Sequence, residues 1–263
     1  MRFSVLGSGS AGNATLVVHD EQALLIDCGL TVRQLERRLG LINFAPSSLS
    51  AIVLTHEHDD HIAGAAAVSR KYRIPIFTSH GTQMAAAERL VNVYGIDYLI
   101  PDRSIEFGAF TISAVLVPHD AREPCQFVLD DGESRLGILT DLGQVTPHLL
   151  RKFTDLDALV LEFNHCLALL ADSVYPPYLR DRIAGPYGHL SNGQAAALLD
   201  QLDLSRLHTL VAAHLSEKTN NPALVAACLR KRVPAHTCWF IANQYEPLPW
   251  CEVGAVRTHR GIF

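Results

Sequence analysis

One short stretch constrains this chain more than any other, the run THEHDDH at residues 55–61, which directly follows an apolar segment. His56 and His58 stand two residues apart at the end of an extended segment, so both imidazoles can leave the chain on one side. Asp60 and His61 follow where the next helix should begin. Three histidines and three acids in six consecutive residues are hard to explain as a solvated surface. The stretch therefore predicts half of a dinuclear metal site.

Further ligand candidates stand at the ends of other predicted strands. His119, Asp141 and His214 each follow an apolar run at a strand-to-loop transition. For Asp141, which precedes Leu142-Gly143, an ordinary turn explains the residue equally well. Histidine and carboxylate ligands without thiolate suit zinc or manganese, and iron is compatible. Two such ions about 3.5 to 4 Å apart form a clamp for hydrolysis, so we expect two divalent metal ions as cofactors.

Short strands alternate with helices along the chain, which favours an α/β fold of two packed sheets covered by helices. The predicted strands are Phe3–Leu6, Thr15–Val18, Leu24–Asp27, Ala51–Leu54, Ile74–Thr78, Phe110–Val117, Cys125–Leu129, Arg135–Thr140, Ala158–Glu162 and Thr209–Ala213. The predicted helices are Val32–Leu39 with a stop at Gly40, Ile62–Tyr72, Gln83–Val91, Gln194–Gln201 and Ala223–Arg230. The first three strands, separated by turn residues, predict an antiparallel meander.

Composition indicates a globular chain, because hydrophobic residues make up 48% and charged residues 19% of the 263 residues. No composition shift marks a linker, so we expect one domain over residues 1–263. No window approaches the roughly 18 apolar residues that a membrane span needs, which predicts a cytoplasmic protein without membrane contact. The six cysteines contain no C-x-x-C pair and predict free thiols rather than a disulfide framework.

The formal net charge of −5 excludes a protein that holds nucleic acid by overall charge. Three basic clusters, Arg70–Arg73, Arg180–Arg182 and Arg230–Arg232, offer local alternatives. Each can line a groove, but charge alone favours solvated helix ends.

The order of ligand candidates resembles the metallo-β-lactamase superfamily over nearly the whole chain. The resemblance implies a single-domain, four-layer αββα sandwich with both metals at one edge. It assigns His56, His58 and His119 to one ion and Asp141 to a bridge between both. The other ion is assigned to Asp60, His61 and His214, and Asp27 matches an early aspartate that supports the ligands in that family.

Four segments resemble a narrower group, the bacterial YycJ/WalJ enzymes: 7–14, 161–165, 188–192 and 213–222. That group is associated with exonuclease action on DNA, which implies a nucleic-acid substrate with DNA preferred over RNA. Cys166 departs from the group, which more often has an acid after Asn-His.

The same segments supply candidate substrate contacts, namely Ser8, Ser10, Asn13, Asn164 and His165. The glycine-serine loop is either a tight turn or a cradle of backbone amides for a phosphate. His165 is either a substrate contact or a strand-end side chain.

The expected mechanism is phosphodiester hydrolysis by a hydroxide activated between the two ions, with Asp60 or Asp141 orienting the nucleophile. Related tRNA-processing enzymes, the ribonuclease Z group, carry residues proposed to shuttle protons where this chain has Glu162 and His189. We therefore expect His189, supported by Glu162, to protonate the leaving oxygen, a contribution typically worth about 10² to 10⁴ in rate.

Three other functions compete with a DNA exonuclease. A ribonuclease Z-like RNA-processing enzyme would carry a protruding arm, for which the segment between His61 and His119 leaves no obvious room. A thioester, lactone or β-lactam hydrolase would use the same ligands, and the acidic net charge favours it. A non-catalytic metal-binding scaffold is disfavoured because all seven ligand candidates are present. The sequence also leaves open the native metal, the polarity of cleavage and the formation of a homodimer.

Overall fold

Alternating inward and outward apolar residues build two seven-stranded sheets. The computed structural model describes residues 1–254, so residues 255–263 of the predicted domain lie outside the described part. The strands are β1 (Arg2–Gly7), β2 (Ala14–His19), β3 (Gln22–Ile26), β4 (Ala51–Val53), β5 (Ile76–Thr78), β6 (Ile96–Tyr98), β7 (Ser104–Phe107), β8 (Phe110–Leu116), β9 (Cys125–Asp130), β10 (Arg135–Leu139), β11 (Ala158–Glu162), β12 (Thr209–Ala213), β13 (Cys238–Ile241) and β14 (Cys251–Glu252).

The first sheet has the order β14-β1-β2-β3-β4-β5-β6, and the second has the order β13-β12-β11-β10-β9-β8-β7. The predicted meander is confirmed, because β1, β2 and β3 pair antiparallel. From β3 to β6 the pairing is parallel, as it is from β10 to β13. Each sheet therefore has a block of parallel strands whose carboxyl ends meet at one edge.

Helices cover the outer face of each sheet. They are α1 (Val32–Leu41), α2 (Asp59–Ile62), α3 (Ala65–Tyr72), α4 (His80–Ala85), α5 (Pro147–Lys152), α6 (Leu167–Ala171), α7 (Pro177–Ala184), α8 (Asn192–Leu199) and α9 (Pro222–Leu229), with a short 3-10 helix at Pro46–Ser48. Ser191 caps α8 and Asn221 caps α9, each by accepting a backbone N–H of the first turn.

Three apolar clusters separate four layers. Phe3 and Val5 of the first sheet meet Phe127 and Val160 of the second in the central cluster. Residues that alternate with these face outward, and the two outer clusters lie between each sheet and its helices. Burial of this apolar surface holds the layers together. The predicted αββα sandwich is confirmed.

All ten predicted strands are present, but the bounds of two predicted helices were wrong. The helix expected over 62–72 is broken after Ile62, since Gly64 donates its N–H to the Cys28 carbonyl and leaves no room for a side chain against Leu30. The helix expected over 83–91 begins at His80 instead, where Ser79 accepts the Thr82 N–H.

The predicted end of α1 needs correction, whereas the prediction of free thiols is supported. Helix α1 does not stop at Gly40 but continues to Leu41, and the left-handed residue that follows is Asn43. The prediction of free thiols is confirmed, because all six cysteines are unpaired. Within residues 1–254 no helix has the length and apolarity to cross a membrane.

Candidate metal centre and cleft

The ligand candidates gather where the parallel strands end. Asp27 follows β3, Asp141 comes two residues after β10, and His214 follows β12. All three have left-handed backbone, with φ of 59°, 55° and 54°. Asp and His are among the side chains that tolerate this region best. The chain therefore turns sharply at each position and keeps the side chain at the common edge.

A first ligand cluster consists of His56, His58 and His119, whose candidate ligand atoms lie within 4.8 Å of one another. His119 Nδ1 lies 3.0 Å from the Gly188 carbonyl oxygen, to which it donates. This leaves Nε2 as the lone-pair nitrogen, 3.3 Å from His58 Nδ1. Three imidazole nitrogens are thus presented to one point.

A second ligand cluster consists of Asp60, His61 and His214, again with ligand atoms within 4.8 Å. Asp60 Oδ2 lies 3.5 Å from His61 Nε2 and 3.4 Å from His214 Nε2. The other ring nitrogens face carboxylates: His61 Nδ1 is 2.7 Å from Asp27 Oδ2, and His214 Nδ1 is 3.2 Å from Glu162 Oε1. Such partners fix the tautomer and ring orientation of a metal-binding histidine.

Asp141 lies between the two clusters and is 1% exposed. Its Oδ2 is 3.0 Å from His61 Nε2, and its Oδ1 is 3.8 Å from His119 Nε2. One carboxylate therefore reaches both clusters, which is the position of a bridging ligand.

The buried atoms of these clusters fit divalent cations. Among the described residues, the buried His56 Nε2 has no hydrogen-bond partner, and the buried Asp141 Oδ2 faces His61 Nε2 without a hydrogen bond of good geometry. A buried polar atom without a partner costs about 1–3 kcal/mol. Burial lowers the pKa of His56 well below its usual value and so favours the neutral imidazole, the form that binds metal.

Electrostatics around the second cluster also favour bound cations. Burial alone would lower the pKa of His61 and of His214, but Asp141 and the neighbouring carboxylates outweigh it. The pKa of His61 is raised well above its usual value, and that of His214 is raised to about 10. Burial opposes ionisation of Asp60, but His61 and His214 hold its pKa well below its usual range. The negative field that retains protons on these rings would favour a metal ion in their place.

Asp27 joins the loop after β3 to the histidine stretch, as the resemblance implied. Its carboxylate accepts the N–H of Thr55 at 2.8 Å and contacts the Thr55 hydroxyl at 3.0 Å, besides its contact with His61. Gly29 lets the same loop pack against the start of α2, because a Cβ there would lie 1.7 Å from the Asp60 carbonyl oxygen. Sequence reasoning missed Thr55 as a supporting residue.

The glycine-serine loop supports the second cluster instead of exposing a phosphate cradle. The N–H groups of Gly9, Ala11 and Gly12 all donate to acceptors within the protein, the second of them to Gln244. Asn13 donates through its amide to Asp60 Oδ2 at 3.2 Å. The cradle hypothesis is therefore wrong for these amides, and the loop acts as a tight structural turn.

Four of the five predicted substrate contacts are buried. Ser8, with its hydroxyl accepting the His214 N–H at 2.7 Å, is 3% exposed, and Asn13 is 5% exposed. Asn164 donates to the His214 carbonyl at 3.1 Å, and His165 is fully buried. These side chains support the site from behind, so a direct substrate contact was the wrong role for them. Ser10 alone is exposed and lines the cleft described below.

Glu162 and His189 form a pair beside the ligands. His189 Nδ1 lies 2.7 Å from Glu162 Oε1, while Glu162 Oε2 accepts the N–H groups of Leu142 and Leu190. Burial lowers the pKa of His189, but Glu162 outweighs it and the net shift is upward. Burial raises the pKa of Glu162, but His189 outweighs it and lowers it to about 2. Glu162 is fully buried, so it positions two histidines and does not itself reach a substrate.

A cleft of about 200 Å³ opens beside this centre. His58 and His189 line it, and residues of α7 with Tyr175 just before that helix form a further wall, the α7 wall. Among the three basic clusters, Arg182 of the second contributes to the lining. In the first, Arg70 bonds the Val91 carbonyl, and in the third, Arg232 pairs with Asp200. Sequence analysis did not predict α7, although Pro177 in its first turn is a helix-start signal.

Comparison with known proteins agrees with this geometry. The chain is 31% identical over 223 residues to "Exodeoxyribonuclease YycJ" of Bacillus anthracis, covering 84% of each chain. It is 30% identical over 223 residues to "Exodeoxyribonuclease WalJ" of Streptococcus pneumoniae, covering 83% of each. The metallo-β-lactamase fold protein YhfI of Bacillus subtilis superposes with a TM-score of 0.73 at 17% identity, covering 94% of this chain and 98% of that one. The family model of the metallo-beta-lactamase superfamily matches residues 7–214, and the chain belongs to that superfamily.

Proposed function

We propose that this protein hydrolyses phosphodiesters in nucleic acid and acts as an exonuclease on DNA. The observation that carries the proposal is the His189–Glu162 pair, which places a proton donor in the cleft next to His58. A phosphodiester leaving group needs a proton, and a histidine held by a carboxylate supplies one near neutral pH. Sequence similarity to enzymes named exodeoxyribonucleases supports the same reading.

Two divalent ions, zinc or manganese with iron also compatible, would occupy the two ligand clusters. His56, His58 and His119 would hold one ion and Asp60, His61 and His214 the other, with Asp141 shared between them. Bound there, the ions would lower the pKa of a water molecule and offset negative charge on the phosphoryl oxygens.

The protein's own groups would orient the reactants and move protons. Asp60 and Asp141 are held ionised, so they can align the attacking water by accepting its hydrogen. His189 would donate from Nε2 to the departing oxygen, because its Nδ1 is occupied by Glu162. Glu162 also holds His214 and thus couples the proton donor to a ligand.

The test is incubation of metal-loaded protein with single- and double-stranded DNA and RNA labelled at either end, beside a nitrocefin and thioester panel. Metal content is measured on the same sample, and we expect near two ions per chain. Stepwise release of nucleotides from DNA supports the proposal. Faster processing of RNA precursors would favour ribonuclease Z-like activity, and hydrolysis in the second panel alone would overturn the nuclease assignment. No bound metal and no turnover would favour the scaffold.

A further inference from the structure

We propose that Tyr175 is a stacking platform for the terminal base of a single strand, with Arg182 and Lys218 binding the adjoining phosphates. The proposal rests on the nuclease function above and names the form of nucleic acid that the site accepts. It assigns a role to the segment before α7 and to one basic cluster of the sequence, neither of which the hydrolytic chemistry uses.

Tyr175 stands in the α7 wall of the cleft. This wall comprises Tyr175, Leu179, Arg182 and Ile183, and the same cleft is lined by His58 and His189. Within residues 1–254 the Tyr175 hydroxyl has no hydrogen-bond partner, and the ring is partly exposed. An aromatic face in a cleft beside a phosphodiester site is the surface on which nucleobases stack, regardless of base identity.

Lys218 adds positive charge at this ring. Its Nζ lies 5.4 Å from the centroid of Tyr175, and its side chain is exposed in the loop after His214. A cation at this distance is attracted to the ring face. A base that stacks on this face would displace the Lys218 ammonium, which would remain close enough to pair with the adjoining phosphate.

Arg182 supplies a second charge between the wall and the ligands. Its Nε donates to Asp120 Oδ2 at 2.5 Å, while the two Nη groups have no partner among the described residues. The Asp120 carbonyl oxygen lies 3.2 Å from His58 Nε2, which anchors Arg182 beside the first ligand cluster. A guanidinium with free Nη donors suits a phosphate. Asp120 holds the Arg182 guanidinium in place through Nε and leaves the Nη donors free.

The position of Tyr175 inside the cleft favours an unpaired terminal nucleotide over a paired end, because a base that enters the cleft to stack on the ring leaves its partner strand. A duplex end must therefore open before its terminal nucleotide enters. Single-stranded ends should bind more tightly than blunt duplex ends.

The experiment compares two single-stranded oligonucleotides, one with a normal and one with an abasic terminal residue, using full-length manganese-loaded protein. For the normal strand, Tyr175→Ala should raise KM about 5- to 150-fold, which corresponds to about 1–3 kcal/mol per stacked base. Tyr175→Phe should stay near wild type, because the ring is retained. The abasic strand should bind wild type and Tyr175→Ala equally. Tyr178→Ala, three residues further along the chain in α7, is the matched control, since that ring is 74% exposed and outside the cleft lining.

The outcomes separate this inference from the function on which it rests. If wild type degrades the normal strand but Tyr175→Ala leaves KM unchanged, or Tyr178→Ala raises it equally, the stacking role is overturned and the nuclease function stands. Failure of the wild type to cleave any nucleic acid overturns both. Lys218→Gln should lower the slope of log KM against log salt concentration by the amount expected for one lost phosphate contact. An unchanged slope overturns the phosphate role of Lys218.

Discussion

Replacing Asp27 with Asn should weaken metal binding at the second ligand cluster without unfolding the protein. The carboxylate receives the His61 Nδ1 hydrogen at 2.7 Å and the Thr55 N–H at 2.8 Å, in a position 3% exposed. Asn has the same shape but one acceptor oxygen, so one of these contacts is lost and an N–H₂ group faces a donor.

Two estimates of the effect agree in magnitude. A hydrogen bond to a charged group contributes about 1.5–3 kcal/mol. Loss of the group that orients a metal-binding histidine costs about 10- to 100-fold in affinity, which is about 1.4 to 2.8 kcal/mol. We therefore expect the apparent Kd of one of the two ions to rise by one to two orders of magnitude.

The assay is competition for zinc and for manganese against a chromophoric chelator, with metal content per chain measured in parallel. Asp20→Asn is the matched control, because Asp20 also has left-handed backbone, at φ 50°, but its side chain is 75% exposed. Thermal unfolding in excess chelator checks that the metal-free fold is retained. An Asp27→Asn affinity within twofold of wild type would refute the reasoning.

Three further substitutions and one chelation experiment test other parts of the protein. His189→Ala should keep metal content near wild type while turnover falls about 10²- to 10⁴-fold, and unchanged turnover would remove the proton-donor role. Gly29→Ala should lower the free energy of unfolding by about 1–3 kcal/mol or more in urea titrations, because the new Cβ meets the Asp60 carbonyl. Gly40→Ala, with open space at its Cβ, should instead raise it by about 0.5–1 kcal/mol, and equal effects would contradict the packing argument. Chelation should lower the free energy of unfolding by about 2.7 kcal/mol for each site at which the free metal concentration was 100 times the Kd. The loss should appear as a lower Tm that added metal restores. A Tm unmoved by chelator would argue against tightly bound ions.

The layered fold could be predicted from local patterns of apolar and turn residues in the sequence. Strands such as Leu24–Asp27 and Ala51–Leu54 are marked by apolar residues bounded by turns, and the sheets need those residues buried. Helix bounds were less accurate, since Gly64 ends a helix through a contact with Leu30 that is distant in sequence. The short helix α7 has local start and end signals, Pro177 in its first turn and Gly185 after its end, but no strong apolar face to mark it.

Part of the candidate site could likewise be predicted from the sequence, and part depends on the tertiary structure. The histidine stretch at 55–61 predicts a metal site by itself, because so many ligand-type residues in one short run have no simpler explanation. Asp141 lies between the two ligand clusters because the parallel strands of both sheets end at one edge, and the sequence does not show this arrangement. The burial of Ser8 and Asn164 behind His214 reversed their predicted role.

The sequence by itself determined the ligand types, ten of the fourteen described strands and the family resemblance, because these depend on residue identity and on order along the chain. Only the tertiary structure decided which polar side chains face the cleft and which support it. The physical reason is that burial and hydrogen-bond partners are set by contacts between elements far apart in sequence, as between Tyr175 and Lys218 or between Asp120 and Arg182.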